Sequence, residues 1–289
     1  MALELFELSL LGGGTERRYR RMRPEIERMP WGTLDVRAFA PDVVVAARRS
    51  WTLAAFQEHR TGVACAATLR ALIEARAPLD LIALASRFPL DEMVHVELCA
   101  RMATELGGGT EVRHDPSALI ADADPTLAPL LRAAQLVVRF FCVGEALSIP
   151  LLRGTWHAAR HPLARAILGR IVRDEAAHGV FGWTFLDWAA PDLDAGARTL
   201  LAQAAEESMA SIEAGWNEIA KRPRAAANEA NALGWMETDA YLALAARSLE
   251  RKVIAPLHAR GIPVRGRSAI SPSSSRWSGP LPRSSGATE

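Results

Sequence analysis

Apolar residues recur along this chain at the three- and four-residue spacing of helix faces, and alternating β-branched runs are nearly absent. A long helical pattern from Pro41 to Ala77 is closed by Pro78. Leu79 to Leu106 forms the next, ended by Gly107-Gly108-Gly109, with Pro89 expected to kink or divide it. The polar stretch Thr110 to Asp124 reads as a crossover connection. Pro125 to about Ala158 is a third long helix, bent at Pro150, and His161 to Ala190 a fourth, with Pro162 suited to its first turn. Leu193 to Arg222 and Glu237 to about Arg260 make two more. These patterns predict an all-α chain: a four-helix bundle over 41–190, with two additional C-terminal helices packed on it over 191–262. Residues 1–40 mix charge, three consecutive glycines and several prolines; they read as an irregular arm whose Arg17, Arg18, Arg20 and Arg21 form a solvated face. Residues 263–289 are dominated by Ser, Pro and Gly and are expected to be a disordered tail, having too little apolar surface to build a core.

Composition narrows the class. With 289 residues, 49% of them hydrophobic, the chain can bury a substantial globular core. A net charge of +1 predicts no general affinity for nucleic acid or an anionic membrane. Cys65, Cys99 and Cys142 contain no Cys-x-x-Cys pair, and their odd number argues against a disulfide framework, so a reducing cytoplasm is the expected compartment. Met1 to Gly14 carries Glu4 and Glu7 and lacks a basic leader, which makes it a poor signal peptide. The apolar stretch Leu127 to Leu152 is interrupted by Arg132, Arg139 and Glu145 and is not expected to span a membrane.

The chemistry lies in a pattern written twice, Asp91-Glu92-x-x-His95 and Asp174-Glu175-x-x-His178. Residues three apart share one helix face, so each copy presents a carboxylate and an imidazole together. Two further glutamates follow from antiparallel geometry, in which residues at one level lie at comparable distances from the connecting turn. Around the turn near His161, Glu145 lies 16 residues before and Glu175 lies 14 after. Around Pro78, Glu92 lies 14 residues after and Glu58 lies 20 before, while Glu74, only 4 before, cannot reach that level. The expected metal ligands are therefore Glu58, Glu92, His95, Glu145, Glu175 and His178. Four carboxylates and two imidazoles suit two iron ions, or manganese, or one of each. Burying four ionised carboxylates without metal would be very costly.

Other residues take lesser roles. A ligand histidine usually gives its second N–H to a carboxylate. Asp91 is expected to serve His178 in this way and Asp174 to serve His95, the alternative being an ordinary interhelical ion pair with an arginine. Glu97 lies about 200° round the helix from His95 and Arg173 is similarly displaced, so both are expected outside the site. His59, His114, His157, His161 and His258 lack a partner at ligand spacing and read as surface or capping residues. Thr61, Gly62, Cys65, Cys99, Cys142, Ser148, Gly179 and Gly182 fall on the ligand faces as candidate pocket lining. Because glycine inside a helix costs about 1 kcal/mol against alanine, Gly62, Gly179 and Gly182 want a reason. Close helix packing and room for dioxygen plus a substrate are the two candidates. The cysteines read as small buried apolar groups.

The doubled Glu-x-x-His with its two partner glutamates resembles the ferritin-like di-iron carboxylate superfamily, over residues 45–190. Phe141-Cys-Val-Gly-Glu145-Ala-Leu-Ser and Arg173-Asp-Glu175-Ala-Ala-His178-Gly are similar to a group of bacterial ferritin-like proteins, distantly similar to di-iron oxygenases such as arylamine N-oxygenases. The resemblance implies a di-iron centre. Departures from the pattern then narrow its chemistry. Cys99 stands where radical-forming reductase subunits carry a tyrosine, and Tyr19 and Tyr241 are far from any ligand in sequence. Ile171 stands where arylamine N-oxygenases carry an extra histidine, and the rubrerythrin Cys-x-x-Cys is absent. The two C-terminal helices and the arm do not suit a ferritin cage subunit.

The expected function is a non-haem di-iron oxidoreductase that activates dioxygen to oxidise or hydroxylate a small organic substrate, with electrons from a donor protein and a homodimer as the assembly. The alternatives are a ferroxidase, peroxide-scavenging or iron-handling protein, and a helical interaction protein with a structural metal site.

Overall fold

A computed structural model describes residues 3–221 and 231–265. The described residues are mostly helical, with only two two-residue strands among them. Strand β1 (Glu4–Leu5) and helices α1 (Gly13–Arg21) and α2 (Pro24–Glu27) precede the long antiparallel pair α3 (Pro41–Glu74) and α4 (Leu79–Glu105). The crossover carries strand β2 (Arg113–His114), followed by α5 (Pro129–Leu136), a π-helical segment (Val137–Glu145) and α6 (Ala146–Ala158) as one continuous rod. Helices α7 (Pro162–Ala189) and α8 (Ala195–Ala220) follow, then a helix Thr238–Ser248, a π-helical turn Leu249–Ile254 and a short helix Ala255–Ala259.

Local chemistry sets these boundaries. Pro41, Pro129 and Pro162 each occupy a first turn, where a missing N–H costs nothing. His161 caps α7 by accepting the Leu163 N–H at 3.2 Å, and Asp194 caps α8 by accepting the Ala197 N–H at 2.7 Å. Pro89 does not divide α4, which runs through it.

Helix α3 packs on α4 and α5, α4 on α7, and α7 on the π-helical segment and α6, which closes a four-helix bundle. Helix α8 covers the π-helical segment, and Thr238–Ser248 lies on α6 and α8. Two apolar clusters fill the interior. One holds Phe88, Phe141, Phe181 and Phe185; the other holds Trp51, Leu98, Met102, Leu163 and Ile167. Along α3, α4 and α7 the expected ligands fall between residues of the first cluster and residues of the second. Among the described residues one rod, Pro129–Ala158, is long and apolar enough to cross a membrane, but more than half of its most apolar window is buried inside the protein.

The arm differs from the expectation of irregular chain. β1 pairs antiparallel with β2, and α1 and α2 dock on α4. Arg20 is not simply solvated, since it pairs with Glu16 at 2.7 Å and Glu27 at 2.6 Å; Arg17, Arg18 and Arg21 are exposed. Arg23 is buried against Glu97, with its guanidinium 3.8 Å from the centre of the Tyr19 ring. At the other end, Val264 is buried and the Arg265 N–H donates to Glu206 at 2.8 Å, so the packed chain extends past the expected start of the tail. The remainder of that tail, 266–289, lies outside the described residues.

Candidate metal centre

The bundle places the six expected ligands together. Glu92 and His95 on α4, and Glu175 and His178 on α7, are all at most 1% exposed, and Glu145 is 5% exposed. Glu145 is the last residue of the π-helical segment. There the Ala146 N–H reaches the Phe141 carbonyl, five residues back. A π turn inserts one extra residue into the helical register and often marks functional sites. Here it brings Glu145 to the level of Glu175. Ser148 then steadies that carboxylate by donating to Glu145 Oε2 at 3.2 Å.

Two overlapping groups result, Glu58–Glu92–His95–Glu175 and Glu92–Glu145–Glu175–His178. Within each, one ligand atom per residue lies within 4.8 Å of all the others. Glu175 presents Oε1 to His95 Nδ1 at 3.2 Å and Oε2 to His178 Nδ1 at 3.1 Å. Glu92 does the same, with Oε2 3.5 Å from His95 and Oε1 3.1 Å from His178. Glu58 approaches only His95, at 3.7 Å. The histidine rings lie 6.5 Å apart.

These donors fit a pair of metal ions on a physical ground. Both carboxylate oxygens of Glu92, one of Glu175, and Nδ1 of both histidines are buried without a hydrogen-bond partner. Unpartnered buried polar atoms are rare and costly, and here they converge from Glu92, Glu175 and His178 on one position and from Glu92 and His95 on the other. Without metal the cluster neutralises itself with protons. Burial, reinforced by the neighbouring carboxylates Glu92 and Glu175, pushes Glu58 up to about 8. Burial also pushes Glu145 well up, helped by Glu175 and Glu92. Burial works against the charged imidazoles, but the carboxylates outweigh it, lifting His178 to about 12 and His95 well above its ordinary range. Glu175 is held low despite burial by the two imidazoles, whose Nδ1 atoms face its oxygens at 3.2 and 3.1 Å.

Each histidine turns its other nitrogen to an aspartate from the opposite copy. His95 Nε2 lies 3.3 Å from Asp174, and His178 Nε2 lies 3.6 Å from Asp91. Each aspartate also pairs with an arginine one turn before it, Arg87 to Asp91 at 2.9 Å and Arg170 to Asp174 at 2.6 Å. Each carboxylate thus sits between an imidazole and a guanidinium of its own helix, and the interhelical arginine pair is present only as the longer Arg87–Asp174 contact at 3.7 Å. The arginines had a sequence signal: both copies read Arg-x-x-x-Asp-Glu-x-x-His.

Phe88 packs on His178 with centroids 4.2 Å apart, and Phe88, Phe141 and Phe181 contact one another at 5.0 to 5.6 Å. They wall one side of the site. Phe88 and Phe141 each precede a ligand glutamate by four residues, a spacing that could have revealed them.

The candidate lining divides. The Cys65 and Cys99 thiols are pushed up by burial and by ligand carboxylates nearby, which keeps them protonated beside the site. Cys142 faces elsewhere and packs on Gly182. Thr61 Oγ donates to the Gln57 carbonyl at 3.1 Å, an ordinary bond back along its own helix. The three glycines do not leave room: the space over Gly62 is occupied by Met93, over Gly179 by Ile149, and over Gly182 by Phe141 and Cys142. Close helix packing is the reason for them.

Residues expected outside the site are outside it. Glu97 pairs with Arg20, Arg23 and Arg101, and Arg173 is exposed. His114 departs from its surface assignment, being buried against the Phe56 ring at 4.9 Å. Tyr19, distant in sequence, donates its hydroxyl to the Met93 carbonyl at 3.3 Å, on the residue following Glu92.

No family model matches the chain, and a search of curated proteins finds no match. The helical fold and its buried glutamate–histidine cluster are compatible with a ferritin-like di-iron protein.

Proposed function

We propose that this chain is a di-metal oxidoreductase that uses dioxygen to oxidise or hydroxylate a small organic substrate, with iron, manganese or one of each as its ions. The observation that carries the reading is the pair of overlapping ligand groups, each with three carboxylates and one imidazole, sharing Glu92 and Glu175. When bound, the ions supply redox capacity and dioxygen activation, which no side chain of this cluster can supply alone. The protein's part is to hold and insulate. Glu58 and His95 serve one position, Glu145 and His178 the other, and Glu92 and Glu175 both. Asp174 keeps the His95 Nδ1 turned inward by occupying Nε2 at 3.3 Å, while Asp91 faces His178 Nε2 at 3.6 Å, beyond hydrogen-bond distance. The Phe88–Phe141–Phe181 wall excludes water from one side, and Ser148 orients Glu145. Reducing equivalents come from a donor protein in this reading.

A second reading, turnover of metal, dioxygen or peroxide with no organic substrate, is favoured by the filled faces of Gly62, Gly179 and Gly182. A surface hollow of about 290 Å³, lined by Ala67, Arg70, Glu74 and Arg132 among others, contains none of the expected ligands.

Anaerobic loading with Fe(II), metal analysis and an oxygen electrode test both. Two irons per chain are expected, and fewer than one overturns the di-metal reading. Dioxygen uptake sustained by a chemical reductant after free Fe(II) is removed supports an oxygenase. Uptake that stops with the free Fe(II) supports the second reading.

A further inference from the structure

The two metal positions are not supported equally. Behind His178, Asp91 pairs with Arg87 at 2.9 Å, a side chain that is 58% exposed and also reaches Asp174 more distantly, at 3.7 Å. Behind His95, Asp174 pairs with Arg170, whose side chain is 14% exposed and whose other face is held by Glu25 of the N-terminal arm. A continuous chain of polar contacts therefore runs from Glu25 through Arg170 and Asp174 to His95.

The arm is anchored where it must be to hold Glu25 in place. Ile26, the next residue, is fully buried. Trp31 donates its indole N–H to the Ile26 carbonyl at 2.8 Å, and Arg101 lies 3.9 Å over the Trp31 ring. Arg23, two residues before, is buried on Glu97, and Tyr19 is bonded to the Met93 carbonyl. These contacts flank Glu25 on both sides and tie it to α4, while Arg170 rises from α7.

We propose that Glu25 is a positioning residue for the metal position that contains His95, so that arm docking strengthens one ion's site and leaves the other unaided. The physical reason is geometric. An arginine held on both faces cannot swing away from Asp174, and a fixed Asp174 keeps the His95 ring turned with Nδ1 towards Glu58, Glu92 and Glu175. Arg87, solvated and without an arm residue upon it, restrains Asp91 less. This inference rests on the di-metal reading.

The test is titration of the full-length protein with Co(II) alone, followed by its visible ligand-field bands, in wild type, Glu25→Gln and Glu16→Gln. Glu16 is a control in the same arm that pairs with Arg20 and lies outside the chain to His95. Loss of a direct carboxylate partner of a ligand histidine costs about 10–100-fold in metal affinity, and Glu25, one link further out, is expected to cost roughly 3- to 10-fold. That loss should fall on one of the two binding steps and change the bands of that ion only. In a His178→Ala background, where the His95 position remains, Glu25→Gln should weaken binding by the same factor. In a His95→Ala background it should do nothing. Unchanged affinity in Glu25→Gln, equal loss at both steps, or the same loss in Glu16→Gln overturns the proposal. Should either histidine variant fail to fold, the split between the two steps in the otherwise native chain decides. Fewer than two Co(II) bound by wild type is a failure of the di-metal reading itself, and is distinguishable because no mutation is needed to see it.

Discussion

Replacing Glu175 by Gln separates a shared ligand from a private one. Its two carboxylate oxygens face the two histidines at 3.2 and 3.1 Å, so the substitution removes charge from both positions while keeping the side-chain volume. Glu145→Gln removes the same charge from the His178 group only. Loss of a residue that merely supports a ligand costs about 10–100-fold in affinity. A ligand should cost at least the upper figure, about 2.7 kcal/mol per ion at about 1.4 kcal/mol per decade. Glu175→Gln should therefore lose both ions, and Glu145→Gln should lose one. Metal analysis after anaerobic Fe(II) loading and gel filtration gives the stoichiometry, and competition with a chromophoric chelator gives the affinities. The metal-free Glu175→Gln protein should remain folded. Its destabilisation should stay below the roughly 3–5 kcal/mol of an orphaned buried charge, because His95 and His178 can release their protons. Retention of one ion at wild-type affinity by Glu175→Gln, or loss of both by Glu145→Gln, would refute the shared-ligand geometry.

Four further outcomes are expected. Metal binding should release roughly two to four protons per pair of ions, since His95, His178, Glu58 and Glu145 are all raised in the metal-free cluster and must deprotonate to ligate. The sign for folding is opposite: the raised groups contribute stability below their unfolded values that is lost as pH rises through the folded ones, for Glu58 from 4.5 towards about 8 and for His178 from 6.5 towards about 12. The metal-free Tm should thus fall, and the Tm increase on adding Fe(II) should grow, between pH 6 and 8; a shift independent of pH counts against the protonated cluster. Gly182→Ala adds a Cβ 3.0 Å from the Cys142 backbone nitrogen and 2.9 Å from Phe141 Cβ, so overpacking of about 1–3 kcal/mol should exceed the helix-propensity gain of about 1 kcal/mol. Gly179→Ala meets only the flexible end of Ile149 and should cost less by urea denaturation. Glu97→Ala strands the buried Arg23 and should weaken arm docking by about 3–5 kcal/mol. Limited proteolysis at α1 and α2 reads this directly, and wild-type resistance would contradict the role given to that pair.

The sequence alone determined what repeats and what is periodic. Helical spacing, proline and glycine punctuation and the near-absence of β-branched alternation were enough for an all-α chain with four long helices followed by more. A doubled Asp-Glu-x-x-His on helices of matched length was enough to single out six candidate ligands that the fold gathers into one cluster, because antiparallel packing ties level to distance from a turn. Glu58, with no motif around it, was reachable only by that measurement. Tertiary structure decided what depends on a neighbour far along the chain. It decided that glycines on the ligand faces are filled by Met93, Ile149 and Cys142, since no local pattern tells a gap from a close contact. It decided that Glu145 is aimed by a π turn, because one extra residue in a helix leaves no mark in residue type. It also decided that an arm without strong periodicity folds into short helices carrying Tyr19, Arg23 and Glu25 onto α4 and α7. Short elements draw their stability from the surface they cover rather than from their own sequence, so they become legible only once that surface exists.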